Sequence, residues 1–228
     1  MKTVVINNST LKFLSDISEN NNRDWFQTNK HFYLEAQENM YSFIDNLILE
    51  LNKHDQLEIR SAKKNLHRIY SDIRFSKDKL PYRAKFDLGL KRFGKQRRGG
   101  YYINIKPGNS YLACGFFAPN SADLKRIRFD ISKNYTQWFP LLESEAIQFN
   151  FGNLKGNTVL TAPRGFQKDH VAIELIRHKQ FYFRHDFTDQ EVLSAHFLTK
   201  VNSIYQSVRP FFDYMSDVLT TDSNGEAI

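Results

Sequence analysis

Residues 68–82, RIYSDIRFSKDKLPY, carry paired charges and aromatic side chains more densely than any other stretch of the chain. Their alternation predicts a strand running into a turn at Pro81. Successive strand side chains alternate faces, so Arg68, Tyr70, Asp72 and Arg74 project together while Ile69, Ile73 and Phe75 face the other way. One side is then apolar and suits a core. The other side carries two guanidiniums, a carboxylate and a phenol.

The flanking sequence continues in strands. Ala84, Phe86, Leu88 and Leu90 alternate with Arg83, Lys85 and Asp87, and two further strands are predicted over 101–106 and 111–117. Between them Pro107-Gly108-Asn109-Ser110 signals a turn, so this pair is an antiparallel hairpin. The linking stretch KRFGKQRRGG, residues 91–100, has five cations and three glycines and is predicted to be a mobile connection.

Helices lie on either side. Leu11, Leu14 and Ile17 recur at helical spacing after Ser9 and Thr10. Asn22 is in place to cap a long amphipathic helix running from Trp25 to Leu51, with Trp25 and Phe26 as core anchors. Beyond the strands, Asn120 and Ser121 open a short helix and a second is expected around 135–144, with Pro140 inside it. Turns dominate 149–166. A short helix over 170–178 and a brief strand over 180–183 follow. Thr188 and Glu191 form a capping box for a last helix that Pro210 should kink. A tail from about residue 220 is expected to lack fixed structure. Helices, then strands, then helices specify an α+β fold. Its mainly antiparallel sheet is packed by a long N-terminal helix and a kinked C-terminal one.

The length of 228 residues suits a single α+β domain over 1–228. A lone cysteine, Cys114, excludes an intrachain disulfide and fits a reducing compartment. Val4-Val5-Ile6 is too short for a signal-peptide core and no later run reaches the length of a spanning helix, which points to the cytoplasm and away from the membrane. The formal charge of +7 is uneven. Residues 60–100 hold 14 Lys and Arg against three Asp, a local +11 that leaves −4 for the remainder. A basic surface facing phosphate-bearing or other anionic partners is the expectation.

The 68–82 stretch resembles a bacterial family catalogued as domain of unknown function 2461, whose pattern is Arg-x-x-Arg-Asp-x-Arg-Phe-x-x-x-Lys-x-x-Tyr. Arg68, Asp72, Arg74, Phe75, Lys79 and Tyr82 match it, and Ser71 stands where the pattern has its second arginine. Asn21-Asn22-Arg23-Asp24-Trp25-Phe26, followed by Lys30 and Tyr33, is similar to the family's amino-terminal signature. Pro163-Arg164-Gly165-Phe166 resembles a late turn of the family. The resemblance implies a domain of this length and no established activity.

Guanidiniums bind phosphate or carboxylate in bidentate fashion, and a carboxylate between two of them holds their planes. The expected ligand site is therefore Arg68, Tyr70, Asp72, Arg74, Lys77, Lys79 and Tyr82, with Arg164 as a further cation. Asp72, acidified by its neighbours, orients rather than moves protons. The partner expected is an anionic small molecule. Two alternatives stay open: a nucleic-acid-associated module using the whole +11 region of residues 60–100, and a structural or interaction protein in which the charged cluster only locks the fold. Whether a reaction is catalysed is left undecided. The seven His lack zinc-ligand spacing, and there is no phosphate loop or nucleophile elbow, so no metal or cofactor is called for. His67 is expected in the core beside Ile69, and Cys114 buried and inert.

Overall fold

A computed structural model of the chain describes residues 4–58, 61–72, 74, 79–221 and 226. Three helices come first, α1 (Asn8–Glu19), α2 (Arg23–Thr28) and α3 (Lys30–Leu51). The strands β1 (Phe86–Lys91), β2 (Gly100–Ile105) and β3 (Ser110–Phe116) follow. After α4 (Ser121–Leu142), α5 (Glu145–Phe151) and α6 (Ile173–Ile176) comes β4 (Phe181–Phe187). The chain ends in α7 (Asp189–Val192), α8 (Phe197–Ser207) and α9 (Arg209–Thr220). The four strands form one antiparallel sheet in the order β1-β2-β3-β4, and the fold is α+β. Among the described residues no helix is long and apolar enough to cross a membrane. Contacts divide the chain into two compact units. The first comprises Met1–Leu90, Tyr102–Leu112 and Asp186–Ser203; the second comprises Lys91–Tyr101, Ala113–His185 and Ile204–Ile228.

In the first unit α1 lies against α3. Asn39 of α3 secures the start of α1. Its side-chain oxygen accepts from Asn7 N and the Thr10 hydroxyl, both at 2.8 Å, and its amide donates to Val5 O. Asn22 caps α2 as expected, accepting from Trp25 N at 2.9 Å. The single long helix predicted from Trp25 is in fact two. Asn29 leaves helical geometry at φ −103° and ψ 15°, and its side-chain amide bonds back to Trp25 O, closing α2 before α3 begins. A short polar side chain that bonds its own backbone competes with the helix in this way. α3 buries Tyr33, Ala36, Met40, Phe43, Ile44, Leu47, Ile48 and Leu51. Burying each of its aliphatic side chains contributes about 1.5–3 kcal/mol. Tyr33 stacks toward Phe86 of β1, and Phe43 stacks on Phe197 at 5.5 Å. The capping box of Thr188 and Glu191 forms, but the helix it opens stops at Val192. Ser194 interrupts it, its hydroxyl accepting from His196 N and its carbonyl from Phe197 N, and α8 starts anew.

In the second unit α4 packs against α9. Buried Trp138 donates to Asp130 at 2.6 Å, and Tyr214 of α9 donates to the same oxygen at 2.8 Å. Asn120 caps α4. The two helices predicted here are one run kinked at Asn134, with Pro140 in its last turns. Pro210 starts α9 instead of kinking a continuous helix, because the first turn needs no proline N–H. Tyr101 meets Tyr205 and Phe212 edge-on, and Phe116 meets Phe211 and Phe212 likewise. Cys114 is buried. At Gly115, φ is +145° and a Cβ would lie 2.4 Å from Phe181 O, so only glycine lets β4 approach there.

Three further expectations change. Only Ile173–Ile176 of the 170–178 segment is helical, and β4 runs beyond the predicted 180–183 to Phe187. The connection 91–100, predicted as loose, is anchored by Arg92, which is 1% exposed. Its guanidinium donates to Arg98 O, Ser216 Oγ and Asp213 and lies 5.0 Å from the Phe212 ring centroid. At the far end, Thr220 closes α9 with its hydroxyl on Ser216 O. The expected tail at 222–225 and 227–228 lies outside the described residues.

Candidate functional site around Asp87

Among the described residues of 68–82 there is no strand: Tyr70 and Tyr82 pair with each other in an isolated antiparallel bridge. Ser71 N bonds Pro81 O, Arg83 N bonds Ile69 O and His67 N bonds Asp87 O, so 67–71 runs back beside 81–87. The pairing is too short and too local to make a ladder. The predicted alternation nevertheless holds where it is described: Ile69 is buried while Arg68, Tyr70, Asp72 and Arg74 are exposed.

The expected carboxylate between two guanidiniums becomes a single pair. Arg74 grips Asp72 with Nε at 2.9 Å and Nη2 at 2.7 Å. Arg68 makes no ion pair among the described residues. The Arg74 guanidinium holds the Asp72 carboxyl below its usual range, which suits an orienting role. Lys79 takes a left-handed backbone at φ 49° and donates to Arg74 O at 3.4 Å. Tyr70 is 52% exposed and packs edge-on to Phe26. Tyr82 is 4% exposed, its ring stacked 4.1 Å from Phe26. Lys77, with Ile73 and Phe75, lies outside the described residues. Arg164 belongs to the second unit, where it lines a cleft beside α4.

The segment leads into a denser cluster centred on Asp87 of β1. Asp87 is 3% exposed, and one oxygen, Oδ2, takes every charged partner. Tyr102 of β2 donates its hydroxyl at 2.6 Å and Arg83 Nη2 donates at 2.7 Å. Lys85 Nζ and His67 Nδ1 each lie 3.2 Å away. Lys85 also reaches the Tyr102 hydroxyl at 3.5 Å. The second oxygen, Oδ1, is buried and has no partner among the described residues. Burial by itself pushes the Asp87 carboxyl up. The Tyr102 hydroxyl, His67, and the charges of Arg83 and Lys85 outweigh it and hold the group below the usual carboxylate range. Tyr102 is pushed far up, first by burial and then by the Asp87 carboxylate beneath its hydroxyl. Each stays in one state near neutrality: Asp87 an anion and Tyr102 a donor.

His67 is therefore not the core residue expected. Its ring is half-exposed and turned to Asp87. Sequence reading placed Arg83, Lys85 and Asp87 on one strand face but did not single them out. Their alternation against Ala84, Phe86 and Leu88 was the available signal. Tyr102 left no such signal, because its partner is set by sheet register. Arg83 and Lys85 remain about a quarter exposed, so the cluster is a buried acid under a basic rim. Among the described residues no group of three or more His, Cys, Asp or Glu is placed to hold a metal. In the second unit the KRFGKQRRGG connection is tied down by ion pairs of Arg92 with Asp213 and of Arg98 with Asp123.

No curated protein and no solved structure matches the chain. A family model does: the one described as conserved hypothetical protein, DUF2461, matches residues 9–214. That span takes in Asn21 and Phe26, the 68–82 segment, the Asp87 cluster and Arg164, and the chain belongs to the DUF2461 family.

Proposed function

We propose that the protein binds a small phosphate- or carboxylate-bearing ligand on the basic rim over Asp87. The supporting observation is that a single buried carboxylate oxygen gathers Arg83, Lys85 and His67. Two permanent cations against one anion leave a net positive charge, and a protonated His67 adds a second. Asp87 fixes the direction of these side chains, so little ordering is left to be done when an anion arrives. Lys85 has three donors and Arg83 five, of which Asp87 and Tyr102 take only some. The remaining donors serve a ligand. Arg68, Tyr70 and the Asp72–Arg74 pair, with Lys79, extend the same basic segment as outer contacts. Tyr82 is the packed post on which it stands.

Asp87 is a poor general base, being held ionised under four donors, and the cluster of His67, Arg83, Lys85, Asp87 and Tyr102 includes no Ser, Thr or Cys. Binding is accordingly a better reading than catalysis. The test is thermal stabilisation of the full chain by inorganic phosphate and by citrate. Both should raise the melting temperature, and Lys85→Ala should weaken the apparent affinity ~10-fold with the unliganded melting point nearly unchanged. Equal stabilisation of wild type and variant would remove the site. A Lys85→Ala chain that no longer melts cooperatively would favour a purely structural network.

A further inference from the structure

Helix α4 carries two stripes. Asp123, Ile127, Ile131 and Trp138 are buried. On another side Ala122, Lys125, Arg126, Phe129, Ser132 and Lys133 recur at three and four residues, and this stripe forms one wall of a cleft of ≈ 850 Å³. The other wall is the turn Arg164–Gly165–Phe166–Gln167 together with His170. A smaller recess toward the start of α4 shares Lys125, Arg164 and Phe166 and adds Arg128. All of this lies within the second unit.

Two features suggest a ligand. The first is charge. The cleft and its recess are lined by five cations and no acid. Arg128 serves the wall, donating to the carbonyls of Ile176 at 2.9 Å and His178 at 3.1 Å. Lys125, Arg126, Lys133 and Arg164 have no ion pair among the described residues. Four like charges around one hollow repel each other unless an anion sits between them. The second is Phe129, which is 61% exposed, with Lys133 Nζ 5.8 Å from its ring centroid. An aromatic face held out among cations offers a stacking platform beside an anion clamp.

His170 keeps the two walls in place. Its Nδ1 accepts from Ala172 N at 3.0 Å, which makes Nε2 the donor to Ser132 O at 3.2 Å. Both ring nitrogens are thus used in a neutral imidazole that staples the turn to α4. The cleft volume is that of sites for ligands of drug or cofactor size.

We propose that this cleft binds a nucleoside polyphosphate, its phosphates on Arg126, Lys133 and Arg164 and its base on Phe129. The site is separate from the rim over Asp87 and does not depend on it. Calorimetric titration of the full chain with ATP, tripolyphosphate and a short single-stranded oligonucleotide tests it. ATP should bind ~10-fold more tightly than tripolyphosphate, the difference contributed by stacking. Phe129→Ala should abolish that difference and leave tripolyphosphate binding unchanged. Arg164→Ala should weaken both. Both cleft side chains are exposed, so melting curves of the two variants should overlay the wild type. Equal affinity for ATP and tripolyphosphate overturns the assignment of the base. Absence of ATP binding overturns the site. An oligonucleotide bound far more tightly than ATP, with the same dependence on Arg164, replaces it with a polynucleotide surface.

Discussion

Asn21 closes both backbone groups of Tyr82: its amide donates to Tyr82 O at 2.8 Å and its carbonyl accepts from Tyr82 N at 3.0 Å. Five residues further on, the Phe26 ring stacks on the Tyr82 ring. Two stretches far apart in sequence therefore meet at one residue, and each has a physical reason for its residue types. A primary amide presents a donor and an acceptor side by side, matching the C=O and N–H of one residue, and Asn has the short reach the loop after α1 requires.

Removing that clasp should be measurable. Asn21→Ala leaves two peptide groups of a half-buried turn without partners, and a destabilisation of about 1–3 kcal/mol is expected in urea unfolding. Asn21→Asp keeps the acceptor and loses the donor, so it should fall between alanine and wild type. An Asn21→Ala protein as stable as wild type would mean that water replaces both bonds.

The Asp87 cluster makes stability depend on acid. The folded pKa of Asp87 lies below its unfolded value, so the unfolded chain takes up the proton first as the pH falls. Its contribution is fully present above the ordinary carboxylate range and is lost as the pH drops through the lowered folded value. Asp87→Asn should unfold at lower urea at neutral pH, by about 2 kcal/mol. That is less than the ~3–5 kcal/mol of a fully buried pair, because the basic partners are part-exposed. The variant should also show a shallower loss of stability below pH 5 than wild type. Parallel curves for the two proteins would exclude Asp87 as the titrating group.

Much of the fold could be read locally and much of the site could not. Asn22, Asn120 and the Thr188–Glu191 box mark helix starts by short-range bonds, and the Pro107–Ser110 turn marks a hairpin. All four are events within a few residues. The breaks at Asn29 and Ser194 were invisible because apolar periodicity continues across them, whereas the boundary expected before Tyr135 is only a kink at Asn134. The alternation around Ile69 was right while its strand was not, since a ladder needs a partner that periodicity cannot name. Arg92 looked like one cation of a loose loop. Its burial is decided by Asp213 and Ser216, more than 100 residues away.

The capping box offers a second titration. Lys200, the Thr188 N–H and the Thr188 hydroxyl hold the Glu191 carboxyl down to about 2. Because that folded value is depressed, the stabilisation is complete above the ordinary value of 4.5 and disappears between there and about 2. A carboxyl-carbon NMR titration should find Glu191 among the last glutamates to protonate. Thr188→Ala, which removes the cap, should move its midpoint upward and cost about 1 kcal/mol. An unmoved midpoint would assign the shift to Lys200 and to the backbone N–H at position 188, which alanine keeps.

Arg92 separates packing from charge in a buried guanidinium. Its partner Asp213 is 58% exposed and also pairs with Arg209, so losing Arg92 does not strand a buried anion. Ser216 Oγ still donates to Phe212 O and accepts from Arg98 N. Of the bonds to Arg98, Ser216 and Asp213, the one left uncompensated is that to the Arg98 carbonyl, and the volume beside Phe212 is lost with it. Arg92→Met refills most of that volume and should cost about 1 kcal/mol, the scale of one net hydrogen bond. Arg92→Ala leaves a cavity and should cost about 3 kcal/mol. Because Arg92 holds the 91–100 connection, limited trypsin digestion should cleave after Lys95 or Arg97 faster in the alanine variant than in the methionine one. If both variants are equally unstable and equally cleaved, the bonds to Arg98, Ser216 and Asp213 fix the connection, and the contact with Phe212 contributes little.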